Sequence, residues 1–134
     1  MINNFFVYGT LKVGGYFAYA FDGVRESSHS ASLEGFDLFR VQGHGNGGFP
    51  GISPGKGIVL GELHKFSDKE LPAVMRMMDR IEGYNEKDEK GSLYIRKTMP
   101  VTNVEDGYTE MAHLYVFNGS TKALDKISSG VWEI

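Results

Sequence analysis

The hydrophobic positions of this chain change period along its length, and the changes mark its elements. Leu71, Val74, Met75, Met78 and Ile81 stand at offsets 0, 3, 4, 7 and 10, which is one face of a helix. Ser67 and Glu70 have the spacing of a capping box just ahead of that stripe. Pro72 restricts how early the helix can start, because its ring clashes with the carbonyl four residues back. Gly83 is a natural stop after the last periodic residue. The main helix is therefore expected over about 68–82.

Elsewhere the pattern is that of strands. Phe5-Phe6-Val7-Tyr8 is a short aromatic and β-branched run that ends at Gly9, which reads as a buried strand followed by a tight loop. Gly14-Gly15 breaks the chain, and Tyr16 to Phe21 reads as a short helical turn. Leu33, Phe36, Leu38 and Val41 are the apolar positions of a strand over Ser28–Val41. Ile58, Val59, Leu60 and Leu63 mark another over Gly57–Phe66. Tyr94–Val104 and Glu110–Phe117 form two more, joined by a turn at Glu105-Asp106-Gly107. Seven glycines between Gly43 and Gly57 make that stretch a loop by composition. Asn85–Gly91 is a charged, exposed loop, and Thr121–Ile134 an ordered tail docked through Trp132. No repeat or linker interrupts this order. It predicts one α+β domain over 1–134: a small mixed, mostly antiparallel, barrel-like sheet with one main helix and short accessory helices.

Composition narrows the chemistry. A net charge of −3 with no run of one sign leaves no basic footprint for nucleic acid. The absence of cysteine removes thiolate catalysis, disulfides and Cys-based zinc sites. The start of the chain has no basic segment followed by a long apolar one, and no apolar stretch is long enough to span a bilayer as a helix, so a cytoplasmic location without membrane contact is expected. His29, His44, His64 and His113 show no metal-ligand spacing, and no metal or organic cofactor is expected.

Several motif spellings fail on context. Gly51-Ile52-Ser53-Pro54-Gly55 spells a nucleophile elbow, but Pro54 has no amide for the oxyanion hole and no helical pattern follows. Gly43, Gly45 and Gly48 spell a dinucleotide fingerprint, yet Phe49-Pro50-Gly51 follows in place of a helix. Asn118-Gly119-Ser120 spells a glycosylation sequon only.

Two features carry chemistry. Glu82 lies four residues after Met78, seven after Met75 and eleven after Leu71, on the apolar face and in the last helical turn. Burial and the negative end of the helix dipole both push a carboxyl pKa upward, as neutral-pH acid/base work requires. Ile81 is apolar as well, so a rotated stripe would instead leave Glu82 at the solvated edge. The second feature is Tyr8-Gly9-Thr10-Leu11. A buried strand ending in Gly can turn backbone amides toward a carboxylate or oxyanion, although a plain strand-ending turn has the same pattern.

Tyr8-Gly9-Thr10-Leu11-x-x-Gly14 resembles the Y-G-S/T-L-x-x-G signature of the γ-glutamylcyclotransferase-like proteins, which include γ-glutamylamine cyclotransferase and plant AIG2-like branches. Gly48-Phe49-Pro50-Gly51-Ile52 is similar to the family's aromatic-Pro segment, and Gly61-Glu62-Leu63 to its G-x-L/V strand. Met78-Asp79-Arg80-Ile81-Glu82-Gly83 resembles the L-D-x-F/Y-E-G helix end, with Met in place of Leu. Tyr94-Ile95-Arg96 and Ala112–Phe117 resemble the strands that follow. Gly15-Tyr16-Phe17 departs from the family, which often has a polar residue there. The resemblance implies a cyclotransferase of the lyase or acyltransferase kind, forming 5-oxoproline from a γ-glutamyl amine or γ-glutamyl amino acid. It implies Glu82 as the catalytic residue, with Tyr8, Gly9, Thr10, Leu11, Tyr94 and Tyr115 around the substrate. Arg96 is read either as orienting a carboxylate or as a surface strand residue, the second being preferred, and the protein is expected to act as a monomer or weak homodimer. Two alternatives stay open: a non-catalytic small-ligand-binding member of the same fold, and an interaction domain using the 43–57 stretch as its surface.

Overall fold

The computed structural model describes residues 1–15, 18–41 and 48–133. In chain order the elements are β1 (Asn4–Val7), a 3-10 turn (Ala18–Phe21), β2 (Arg25–Val41), β3 (Phe49–Phe66), α1 (Leu71–Glu82), β4 (Tyr94–Asn103), β5 (Thr109–Phe117) and the two-residue β6 (Asp125–Lys126). The strands run β3-β1-β5-β4-β2, and β2 pairs again with β3, so five strands close into a barrel. All pairings are antiparallel except β1 with β5, which meet in parallel at Phe5 and His113. The α+β class and the mixed, mostly antiparallel barrel are as the sequence predicts.

Strand alternation builds two cores from the same strands. Phe6, Leu33, Leu38, Ile52, Val59, Val101, Ala112, Leu114 and Val116 point inward and fill the barrel. Phe5, Val7, Tyr94 and Tyr115 point outward, where Leu71, Val74 and Met78 of α1 cover them together with Phe21 and Phe66. The helix thus lies on the outer face of β1, β4 and β5. The residues of β5 show the division most plainly: Leu114 and Val116 enter the barrel while Tyr115, between them, faces α1.

Three expectations need correction. Residues 49–57 are strand, not loop. They are the first half of β3, paired with β2 from Val41↔Phe49 to Phe36↔Pro54. The glycines there are packing devices: a Cβ at Gly51 would lie 2.9 Å from Val41 Cγ2 and 3.0 Å from Phe117 Cβ. Gly43, His44, Gly45 and Gly47 lie outside the described residues, as do Tyr16, Phe17 and Ile134. The regular helix begins at Leu71, three residues later than expected, with Pro72 in its first turn. Ser67 still organises the approach, since its Oγ accepts the Glu70 amide at 3.2 Å and its carbonyl accepts the Leu71 amide at 3.0 Å. Of the accessory helices, the described residues contain the single 3-10 turn. Trp132 packs against the inner core as predicted.

No helix among the described residues is long and apolar enough to cross a membrane.

Candidate active site

The site forms where β1 ends and α1 ends, on the side of the barrel that α1 covers. Val7 is the last residue of β1 and Gly9 follows in a turn closed by Lys12 N–H donating to Gly9 O at 3.0 Å. Gly15 N–H then donates to Lys12 O at 2.7 Å. The amides of Gly9, Thr10 and Leu11 have no acceptor among the described residues. A buried turn rarely leaves three donors unused unless they meet solvent or a ligand.

Polar contacts hold this loop from behind. Val13 N–H donates to Glu62 Oε1 at 2.8 Å, and the same oxygen meets His64 Nε2 at 2.9 Å. Arg25 Nε donates to His64 Nδ1 at 3.2 Å, so the neutral ring carries its proton on Nε2 and gives it to Glu62. Burial pushes the Glu62 carboxyl upward, but the hydrogen bonds from His64 and Val13, together with nearby positive charge, outweigh it and the net shift is downward. Lys12 is buried as well, and its Nζ donates to Trp132 O at 2.7 Å. The tail therefore braces the loop.

Gly9 has no side chain because Pro50 occupies that space: a Cβ at Gly9 would stand 2.4 Å from Pro50 Cγ. Gly9→Ala should accordingly cost about 1–3 kcal/mol by overpacking. Thermal denaturation checks this, and an unchanged melting temperature would mean that the loop tolerates displacement.

Glu82 reaches the same place from α1. Gly83, with φ at 67°, ends the helix in the left-handed conformation; its amide donates to Arg80 O at 3.3 Å and the Tyr84 amide to Asp79 O at 2.9 Å. These two bonds are a Schellman closure, which turns the chain away immediately after Glu82. Glu82 is half-buried, with neither a hydrogen bond nor an ion pair among the described residues. Burial raises its pKa to about 7.

A cavity of about 250 Å³ joins these parts, and its wall includes Tyr8, Gly9, Thr10, Leu11, Glu82, Tyr94 and Tyr115. All seven residues singled out from the sequence thus meet at one pocket. Their separation along the chain is bridged by β1, α1, β4 and β5. The remainder of the wall is mainly apolar: Phe6, Val7, Phe49, Pro50, Ile81 and Leu93. Sequence reasoning did not place Phe49 and Pro50 at the site, although their segment carried part of the family resemblance. Phe49 does not project as an interaction surface; its ring packs 6.4 Å from that of Tyr94.

The three pocket phenols are all anchored. Tyr8 OH donates to Tyr115 O at 2.6 Å, Tyr94 OH to Pro50 O, and Tyr115 OH to Asp79 Oδ1 at 2.6 Å. Each is held above the ordinary tyrosine range, first by burial; the nearby Glu82 carboxylate adds to this in all three, and Asp79 adds to it at Tyr115. Arg96 differs from expectation. It is not a free strand residue, because its guanidinium grips both Asp79 oxygens at 3.1 and 2.9 Å and lies over the Tyr84 ring. Burial raises the Asp79 carboxyl, partly offset by the Tyr115 hydrogen bond and the Arg96 charge.

Among the described residues no group of three or more His, Asp or Glu is arranged to hold a metal ion.

Comparison with known proteins places this arrangement. The profile of the family described as "Gamma-glutamyl cyclotransferase, AIG2-like" matches residues 5–134. No curated protein matches the chain. Several solved structures share its fold. A mouse AIG2-like protein superposes with a TM-score of 0.67 at 23% identity, covering 95% of this chain and 86% of the other. An Escherichia coli protein gives 0.59 at 24% identity, covering 96% and 95%. The structure of a gamma-glutamyl cyclotransferase gives 0.55 at 17% identity, covering 92% and 69%. At these identities the structures speak for the fold, and the profile for the family. Matched from its first strand to its end, the chain belongs to the γ-glutamyl cyclotransferase, AIG2-like family.

Proposed function

We propose that this protein cyclises a γ-glutamyl amine or γ-glutamyl amino acid, releasing 5-oxoproline and the free amine. One observation carries the reading: an unpaired carboxyl with a pKa near neutrality shares a pocket with three uncommitted backbone amides. The nucleophile is the substrate's own α-amine. The protein's main task is then to hold that amine against the γ-carbonyl, and the scheme calls for no metal or organic cofactor.

The steps balance as follows. The Glu82 carboxylate takes a proton from the α-ammonium, and the freed amine attacks the γ-carbonyl carbon. A C–N bond forms and the carbonyl oxygen becomes an oxyanion, held by amides of Gly9–Leu11. Glu82 then donates its proton to the original amide nitrogen, and that C–N bond breaks. The new ring nitrogen returns its surplus proton to Glu82, which passes it to the departing amine. The enzyme ends as it began. The apolar wall of Phe49, Ile81 and Leu93 limits water around the reacting groups. Such a reaction suits a small cytoplasmic protein working as a monomer or weak homodimer.

The pH dependence follows from Glu82. Below its pKa the carboxyl is already protonated and cannot accept the ammonium proton. The acidic limb of kcat/KM is therefore expected at about pH 7, the value burial gives Glu82. A pH–rate series on purified protein tests this. A limb near 4.5, the ordinary value, would mean that a solvated carboxylate performs the step.

A further inference from the structure

The direction of the hydrogen bonds around the pocket assigns it a chemical polarity that the identity of its wall residues alone does not reveal. A phenol has one proton to give and lone pairs to accept with. Tyr94 gives its proton to Pro50 O, and Tyr115 gives its own to Asp79 Oδ1 at 2.6 Å. Both rings line the cavity beside Glu82. With their protons committed to the protein, their oxygens can offer a ligand only acceptor capacity. Tyr8 contributes less, because its hydroxyl donates to Tyr115 O and also lies by the Ile52 backbone. Opposite in kind are the amides of Gly9, Thr10 and Leu11, which are donors without acceptors among the described residues.

Resting on the cyclotransferase reading, we propose that Tyr94 and Tyr115 form with Glu82 an acceptor subsite for the ammonium group of the substrate, and that Asp79 is a positioning residue that fixes the polarity of this subsite by holding the Tyr115 proton. Asp79 stands three residues before Glu82 on α1, so the two carboxyls are neighbours on the helix. Their surroundings separate their tasks. Asp79 is committed to Arg96 at 2.9 Å and to Tyr115, whereas Glu82 has no partner among the described residues and keeps its oxygens for the ligand. The Arg96 guanidinium, seated over Tyr84, keeps the Asp79 carboxylate in place. Without Asp79, the Tyr115 hydroxyl would be free to turn its proton into the cavity, toward the ammonium it is meant to receive. The pocket would then present a donor to a donor.

The test compares two ligands by calorimetry in the Glu82→Gln background, chosen to arrest turnover. One is a γ-glutamyl alkylamine; the other is the same compound with hydrogen in place of the α-ammonium. The parent is expected to bind the ammonium compound at least about tenfold more tightly. Adding Tyr115→Phe removes one acceptor from the ammonium and should reduce that preference by about tenfold, the scale of a hydrogen bond to a charged group, with the affinity for the other compound unchanged. Adding Asp79→Ala should reduce the preference similarly, although the Tyr115 ring remains. Asp79→Asn keeps an oxygen for the Tyr115 proton and should restore most of the preference. A general packing role predicts a different result, in which both ligands weaken together in every variant; that outcome overturns the inference. So does a preference that survives Tyr115→Phe and Asp79→Ala. Failure of the protein with Glu82 intact either to bind or to turn over the γ-glutamyl alkylamine would overturn the cyclotransferase reading itself, and the subsite with it.

Discussion

Glu82→Gln is expected to lower product formation by about 10²–10⁴-fold, the range associated with losing a positioned general acid/base, and at the same time to stabilise the protein above pH 7. The first effect follows from the proposed proton transfers, since an amide can neither take the ammonium proton nor return it. The second follows from linkage. Burial raises the folded-state pKa of Glu82 from 4.5 to about 7, so the fold favours the neutral carboxyl. That contribution to stability is fully present below pH 4.5 and is lost as the pH rises through about 7. Glutamine carries no charge to lose. The variant and the parent should thus have similar stability at pH 4, diverge between pH 4.5 and 7, and differ by a constant amount at higher pH. Because Glu82 is only half-buried, the plateau should be about 1–3 kcal/mol. Urea unfolding across that pH range measures it. Equal stability of the two proteins at pH 8 would show that the carboxylate is well solvated in the fold.

The second large effect concerns the seat of the helix. Met78 is fully buried between α1 and the outer barrel face, whereas its neighbour Met77 is 43% exposed. Met78→Ala should cost about 2–5 kcal/mol, combining lost burial with the cavity left behind. Met77→Ala should change stability by less than about 0.5 kcal/mol. This contrast reports the rotational register of α1, and that register decides where Glu82 points. Were the two substitutions to cost the same, the helix would be packed in another rotation and Glu82 would not face the pocket.

The same register explains why half of the site was readable in the sequence. A helical period leaves a strong mark, so Leu71, Val74 and Met78 could be assigned to a buried face without knowing what covers them. Glu82 stood out because it interrupts that face near its end. The Tyr8–Leu11 turn stood out because an aromatic strand ends abruptly in Gly. Neither pattern says that the two meet, since the sheet that joins them is built from pairings such as Phe5↔His113, over a hundred residues apart in sequence. The resemblance to a family supplied that link.

Other parts were hidden for physical reasons. Residues 49–57 have the composition of a loop, with Gly51, Gly55 and Gly57 beside Pro50 and Pro54. Their strand conformation comes from the long ladder with β2 and from neighbours that fill the space of the missing side chains, Phe117 and Val41 at Gly51 and Asp37 at Gly55 and Gly57. Local propensity yields to such context. Arg96 looked like a surface residue because strand alternation records which side a residue faces, not what stands there. Its partner Asp79 comes from the helix, 17 residues away. Asp79 itself was visible only as one letter of the helix-end motif, with nothing in its spacing to connect it to Tyr115.

The central claim is that this pocket turns a γ-glutamyl compound into 5-oxoproline through Glu82. Purified protein and its Glu82→Gln variant, each shown to be folded, should be incubated at pH 7.5 with a panel of γ-glutamyl amines and γ-glutamyl amino acids, and both products quantified. The account predicts 5-oxoproline and free amine in equal amounts from at least one compound with the parent protein, and about 10²–10⁴-fold less with the variant. Undiminished product from Glu82→Gln would contradict the assigned role of Glu82. Binding without product across the panel would contradict catalysis and make the pocket a γ-glutamyl receptor.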